Sequence, residues 1–282
     1  MKIHEVIKQA LKEDIGGGDI TTNSIIPKSA IVRAEIVAKQ EGIIAGLDIA
    51  EQVFRELDRN IVFVRKAKDG KKVKEFQVIA ELKGNARAIL AGERVALNFL
   101  QRMSGIATLT ARFVKLAGAG KAKGVKILDT RKTTPLMREL EKYAVKAGGG
   151  ENHRFGLYDA VLIKDNHIEA AGSITEAVKK AKHSGKSIEV EVKNLRGVRE
   201  ALNSGVDILL LDNMDIKSIK KAVKIVKEEG RKKAKLEVSG GVNLNSIKSI
   251  AKTSVDFVSI GALTHSAKAL DISLEVLNIN KM

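Results

Sequence analysis

The chain has 282 residues, with 50 Lys and Arg against 34 Asp and Glu for a formal charge of +16, 44% hydrophobic residues and no cysteine. That composition is globular rather than disordered, and it excludes disulfide frameworks and thiolate metal sites. Aromatic residues make up only 3% with no Trp, too few for the stacking platforms of single-strand binders, so no nucleic-acid partner is expected despite the charge.

The first residues, MKIHEVIKQALKEDIGGGD, are charged where a secretory signal is apolar. No run approaches the roughly 20 apolar residues of a membrane span, and a soluble cytoplasmic protein with no membrane partner is expected. Residues 1–108 read as an N-terminal α+β sandwich domain. Strand patterns lie at Ile31–Ala38, Gly42–Ala45, Ile61–Arg65 and Val78–Leu82, with a turn at Asp69-Gly70. One helix covers about Asp48–Leu57, and a second begins near Asn85 with Ile89, Leu90, Leu97, Leu100 and Met103 on its apolar side.

From about Val125 the pattern becomes a strict alternation. Short apolar runs at Val125–Leu128, Ala160–Ile163, Ile188–Val192, Ile208–Leu211, Leu236–Val238 and Phe257–Ile260 are separated by amphipathic helical stretches. Thr134-Pro135 reads as an N-cap and first helical residue, Ser173–Glu176 as a capping box, and Gly148–Gly150 as a helix stop. Between 215 and 235, Ile216, Ile219, Val223 and Val226 form one stripe, and Lys217, Lys220, Lys221, Lys224 and Lys227 fall mostly on the other side. Much of the positive charge therefore solvates a helix face.

Alternating strands and helices predict a parallel sheet covered by helices. Polar residues recur at the C-terminal end of every predicted strand, which favours a barrel mouth over the single switch point of an open sheet. An eightfold barrel takes about 250 residues, and residues 109–269 are too few for one. The expected fold is α/β, an incomplete α/β barrel of about six to seven parallel strands.

Three groups of side chains mark the strand ends. The first is cationic: Arg131, Lys132, His153, Arg154 and Lys164, with Arg94 and Arg138 as further candidates. So many like charges call for an anionic ligand bearing carboxylates, phosphates or both, unless Glu139, Glu141 or Glu151 neutralises them. The second is acidic: Glu191 and Asp212 either hold Mg²⁺ together with a substrate phosphate or neutralise Lys164 and Lys193. The third is small: Ser239-Gly240-Gly241 and Gly261-Ala262 follow the last two strands, where backbone N–H groups commonly bind phosphate. Lys164 also leaves open a Schiff-base aldolase reading. HExxH, GxSxG and Walker A patterns are absent.

The stretches ALKEDIGGGDITT (10–22), GERVALNFLQRMSGIAT (92–108), DTRKTTP (129–135), EKYAVKAGGGENHRFGLYDAVLIKDNHI (141–168), ILLLDNM (208–214), EVSGG (237–241) and GALTHS (261–266) together resemble the quinolinate phosphoribosyltransferase family over nearly the whole chain. The resemblance implies an N-terminal domain rejoined by residues 270–282 and a catalytic barrel over 109–269. It implies transfer of phosphoribosyl from phosphoribosyl pyrophosphate to quinolinate, yielding nicotinate mononucleotide, pyrophosphate and CO₂ for NAD synthesis, with Mg²⁺. By the same resemblance, Arg131, His153, Arg154 and Lys164 line the quinolinate pocket beside Lys132. Arg94 reaches the neighbouring active site of a homodimer or higher homo-oligomer. Glu191 and Asp212 serve as metal-side and catalytic carboxylates, alongside Lys132 and Lys164 as catalytic candidates. Ser239, Gly240, Gly241, Gly261 and Ala262 bind phosphate. One departure is Leu136-Met137, where the family commonly has a glycine.

Overall fold

The computed structural model describes residues 3–118, 124–228 and 234–280. In chain order the elements begin with α1 (Ile3–Ile15), α2 (Ile20–Ile25), β1 (Ile31–Ala38), β2 (Gly42–Ile43), α3 (Leu47–Leu57), β3 (Val62–Arg65), β4 (Lys72–Val73), β5 (Gln77–Asn85) and α4 (Ala86–Ala117). Next come β6 (Lys126–Leu128), α5 (Arg138–Ala147), β7 (Val161–Ile163), α6 (Asp165–Ala171), α7 (Ile174–Ala181), β8 (Ile188–Val192), α8 (Leu195–Ser204), β9 (Ile208–Asp212) and α9 (Ile216–Glu228). The last are β10 (Lys235–Ser239), α10 (Ile247–Ala251), β11 (Phe257–Ser259), α11 (Ala262–His265) and β12 (Ile272–Asn280). No helix among the described residues is long and apolar enough to cross a membrane.

The chain divides into two compact units, Met1–Ala111 with Thr134–Gly149 and Ser266–Met282, and Arg112–Thr133 with Gly150–His265. The first unit holds an antiparallel sheet in the order β12-β1-β5-β3. Its core includes Ile36, Ile79, Phe54, Leu97 and Leu100, all fully buried or nearly so, each contributing roughly 1.5–3 kcal/mol relative to exposure. The Asp69-Gly70 turn has a definite task, since the Asp69 carboxylate accepts from the backbone N–H groups of Gly46 (2.7 Å) and Leu47 (3.2 Å) where α3 begins. β2 is shorter than the expected Gly42–Ala45 because the Ala45 N–H donates to Ser104 Oγ at 3.0 Å instead of to a strand. The expected end segment 270–282 contains β12, which pairs antiparallel with β1; its last two residues lie outside the described residues.

α5 begins at Arg138 with Met137 as N-cap, so Thr134-Pro135 is not the helix start expected from sequence. The Thr134 side chain turns instead to the buried Glu141, donating to Oε1 at 2.8 Å. Glu141 also accepts from the Arg102 guanidinium at 2.7 and 3.1 Å. Leu136 has φ of 66°, a left-handed conformation that costs a side chain about 1 kcal/mol.

The second unit holds a parallel sheet in the order β6-β11-β10-β9-β8-β7. In chain order the first of these strands, β6, pairs with the last, β11, through Lys126–Leu128 against Phe257–Ser259. The sheet's open seam lies between β6 and β7, where Glu151 adds a parallel bridge to Leu128. This is the incomplete barrel, six strands among the described residues with a partial seventh position. On α9, Ile219, Ala222, Val223, Ile225 and Val226 are buried while Lys217, Lys220, Lys221, Lys224 and Lys227 are exposed. Ser173 caps α7 by accepting from the Glu176 N–H at 3.1 Å.

Within the first unit, a Cβ on Gly105 of α4 would lie 2.0 Å from the Lys268 carbonyl oxygen. Backbone cannot yield there as a flexible side chain would. Gly105→Ala is expected to cost about 2–3 kcal/mol and to lower Tm by roughly 5–10 °C in a thermal melt. An unchanged Tm would contradict this packing.

Candidate active site

Twelve of the residues singled out from sequence line one cavity of about 660 Å³ in the second unit. Arg131 and Lys132 follow β6, His153 and Arg154 lie on the segment before β7, and Lys164 follows β7. Glu191 is on β8 and Asp212 ends β9; Ser239, Gly240 and Gly241 close β10, and Gly261 and Ala262 follow β11. Parallel pairing brings them together, because all the C-terminal strand ends face the same way. Arg94, exposed on α4, and Arg138, at the start of α5, belong to the first unit and are not among the lining residues.

The local contacts explain how each group is held. Lys164 Nζ lies 3.1 Å from Glu191 Oε2, whereas Lys193 pairs with Asp165. Neutralisation is therefore real for Lys164 and Glu191, and Lys193 is satisfied elsewhere. The Lys164 N–H donates to His167 Nδ1 at 3.0 Å, which seats the start of α6. Asp212 Oδ2 accepts from Asn213 Nδ2 at 3.0 Å. Asn213 packs over Gly240, where an added Cβ would come within 2.3 Å of its Oδ1 and where φ is +92°. The first glycine of that loop thus lets Asn213 reach its neighbour's carboxylate. Thr264 Oγ1, fully buried, donates to the Lys132 carbonyl at 2.8 Å and ties the loop after β6 to the one after β11.

Arg154 Nη1 donates to the Ala160 carbonyl at 2.8 Å, and its buried Nε has no hydrogen-bond partner. Burial first, then the like charge of Arg131, lowers the Arg154 guanidinium below its ordinary pKa. Two cations sharing a low-dielectric wall gain from an anion between them.

Sequence reasoning missed the acids beneath this rim. Glu189 on β8 and Glu237 on β10 are 4% and 1% exposed, and His153 Nε2 lies 3.1 Å from Glu189 Oε2 and 3.5 Å from Glu237 Oε1. Asn213, Ser259 and His265 also line the cavity. The available signal was the period of two: Glu189 shares its strand phase with Glu191, and Glu237 shares its phase with Ser239. Reading those strands as continuous apolar runs hid it.

An α/β barrel whose mouth gathers cations, two rim carboxylates and two glycine loops is an enzyme site built for polyanionic ligands. Comparison with known proteins narrows the class. The description "Quinolinate phosphoribosyl transferase, N-terminal domain" matches residues 19–104, and the corresponding C-terminal domain matches residues 106–275. A probable nicotinate-nucleotide pyrophosphorylase [carboxylating] of Bacillus subtilis is 45% identical over 284 aligned positions, covering 100% of this chain and 96% of that protein. One from Methanocaldococcus jannaschii is 46% identical over 97% of this chain and 96% of its own length. The crystal structure of NadC from Streptococcus pyogenes superposes with a TM-score of 0.92 at 40% identity, covering 99% of this chain and 97% of that one. The chain belongs to the quinolinate phosphoribosyltransferase family.

Burial first, and then the neighbouring Glu189 carboxylate, push Glu237 from the ordinary 4.5 up to about 7. A carboxyl with a higher pKa when folded binds more protons in the native state. Its contribution is complete below the unfolded value and is lost as pH rises through about 7. Between about pH 5 and pH 8, wild-type stability is expected to fall relative to Glu237→Gln by on the order of 2 kcal/mol. Thermal melts across that range check this, and parallel curves for the two proteins would contradict it.

Proposed function

We propose that the chain joins quinolinate to the phosphoribosyl group of phosphoribosyl pyrophosphate, forming nicotinate mononucleotide, pyrophosphate and CO₂. The observation that carries this reading is the convergence of cations, rim carboxylates and two glycine loops on a single cavity. Quinolinate is a dianion with adjacent carboxylates. Arg131 and Arg154 offer planar forks that suit them, with Lys132 and Lys164 as further positive charge. So held, the ring nitrogen faces the ribose C1′ while the Ser239–Gly241 and Gly261–Ala262 loops take the 5′-phosphate through backbone N–H groups.

The nitrogen forms a bond to C1′ as the bond from C1′ to the pyrophosphate oxygen breaks. Positioning and charge stabilisation supply most of the acceleration at this oxocarbenium-like centre. Loss of CO₂ then leaves an electron pair on the ring carbon beside the new cationic nitrogen, and a proton delivered there completes the product; Lys132 and Lys164 are the candidate donors.

Glu191 and Asp212 are oxygen donors lining the same cavity as the phosphate loops, a set that suits Mg²⁺, which takes one or two carboxylates and leaves room for phosphate oxygens. When bound, Mg²⁺ neutralises the leaving pyrophosphate. Glu191 and Asp212 would hold it, Lys164 restrains Glu191, and Asn213 restrains Asp212. The working form is a homodimer or higher homo-oligomer in which Arg94, exposed and outside the cavity lining, serves the site of a second copy. Lys164 Nζ is paired with Glu191 rather than standing free in the cavity, which favours this reading over a Schiff-base aldolase.

Quinolinate labelled in its 2-carboxylate is expected to release CO₂ only when phosphoribosyl pyrophosphate and Mg²⁺ are both present, and Arg131→Ala to raise the KM for quinolinate by about tenfold or more. Turnover of nicotinate in place of quinolinate would refute the assignment.

A further inference from the structure

The side chain of His153 is engaged on both ring nitrogens. Nδ1 accepts the backbone N–H of Arg154 at 2.8 Å, so the proton of the neutral ring is on Nε2. Nε2 faces Glu189 Oε2 at 3.1 Å and Glu237 Oε1 at 3.5 Å. The backbone is fixed as well, with the His153 N–H donating to Asp129 Oδ1 at 2.9 Å. Glu189 Oε1 and Glu237 Oε1 are buried without a hydrogen-bond partner. Burying two acids so incompletely satisfied is costly, and the reaction proposed above gives neither of them a role.

We propose that Glu189, with Glu237 beside it, is a positioning residue for quinolinate binding: by accepting the Nε2 proton, Glu189 fixes the tautomer and orientation of His153, whose Nδ1 in turn holds the Arg154 backbone and thereby its guanidinium at the cavity wall. The linkage is a continuous chain from acid to imidazole to backbone amide to the substrate-facing cation. It follows the logic by which outer partners orient inner ligands through a histidine. The inference rests on the reading of this cavity as a quinolinate site.

A cation is the competing occupant, since one ligand atom from each of His153, Glu189 and Glu237 lies within 4.8 Å of the others. A metal would need the Nε2 lone pair and would move the ring proton to Nδ1, where the Arg154 N–H already points. The hydrogen bonds therefore oppose it.

Two measurements decide the matter. In ¹⁵N-histidine NMR of the wild-type protein, with the His153 signal identified by its loss in His153→Asn, the ring is expected as the Nε2–H tautomer and unaltered by added Zn²⁺ or Mn²⁺. A Nδ1–H tautomer, or a ring signal that moves on adding metal, overturns the proposal, and this readout needs neither substrate nor a variant of either acid. In kinetics, Glu189→Ala is expected to raise the quinolinate KM at least about tenfold with the KM for phosphoribosyl pyrophosphate within about twofold. Glu189→Gln, which keeps an accepting oxygen, should recover most of that loss. An unchanged quinolinate KM, or equal rises in both KM values, overturns it. A wild-type protein with the expected tautomer but no quinolinate turnover would instead defeat the reading of the cavity.

Discussion

Parallel pairing of β11 with β6, three residues on each strand, joins the last barrel strand to the first and sets Arg131 and Lys132, which follow β6, beside the glycine loop after β11. The sheet stays open between β6 and β7, the two ends of the strand order, and the Leu128–Glu151 bridge lies at that seam. Strands too short to form a domain individually present their C-terminal ends to one cavity. Side-chain alternation along each strand does the rest. Positions two apart face the same side, so each strand contributes an inner residue and a rim residue.

Electrostatics then follows from depth. Rim groups such as Lys164 keep contact with solvent and can trade the Glu191 carboxylate for a ligand oxygen. The inner acids Glu189 and Glu237 have almost no such contact. Arg154 is lowered by burial, and Glu237 is raised by burial and by Glu189. The inner acids and the cations above them offset each other, which lets the cavity hold positive charge ready for a dianion while its floor stays compact. Chain-wide charge has little part in this, since the lysines of α9 face solvent.

Strand positions were legible because short apolar runs between turn signals have few other readings. β1 and β8 match their expected ranges, and the remaining barrel strands differ by a residue at either end. β12 was not legible as a strand, because its pairing with β1 joins opposite ends of the chain and nothing local announces it. Thr134-Pro135 carries every local mark of a helix start, yet tertiary contact with Glu141 outcompetes the cap. Among site residues, charged groups at strand ends stood out in the sequence. Glu189 and Glu237 did not, because their significance depends on which strand lies beside which.

The central claim is that the barrel mouth is built for two adjacent carboxylates rather than one. Calorimetric titration of the protein with quinolinate and with nicotinate tests it most directly. Quinolinate is expected to bind at least about a hundredfold more tightly, because nicotinate lacks the second carboxylate that the Arg131 and Arg154 forks together suit. Equal affinity for the two acids would contradict the account.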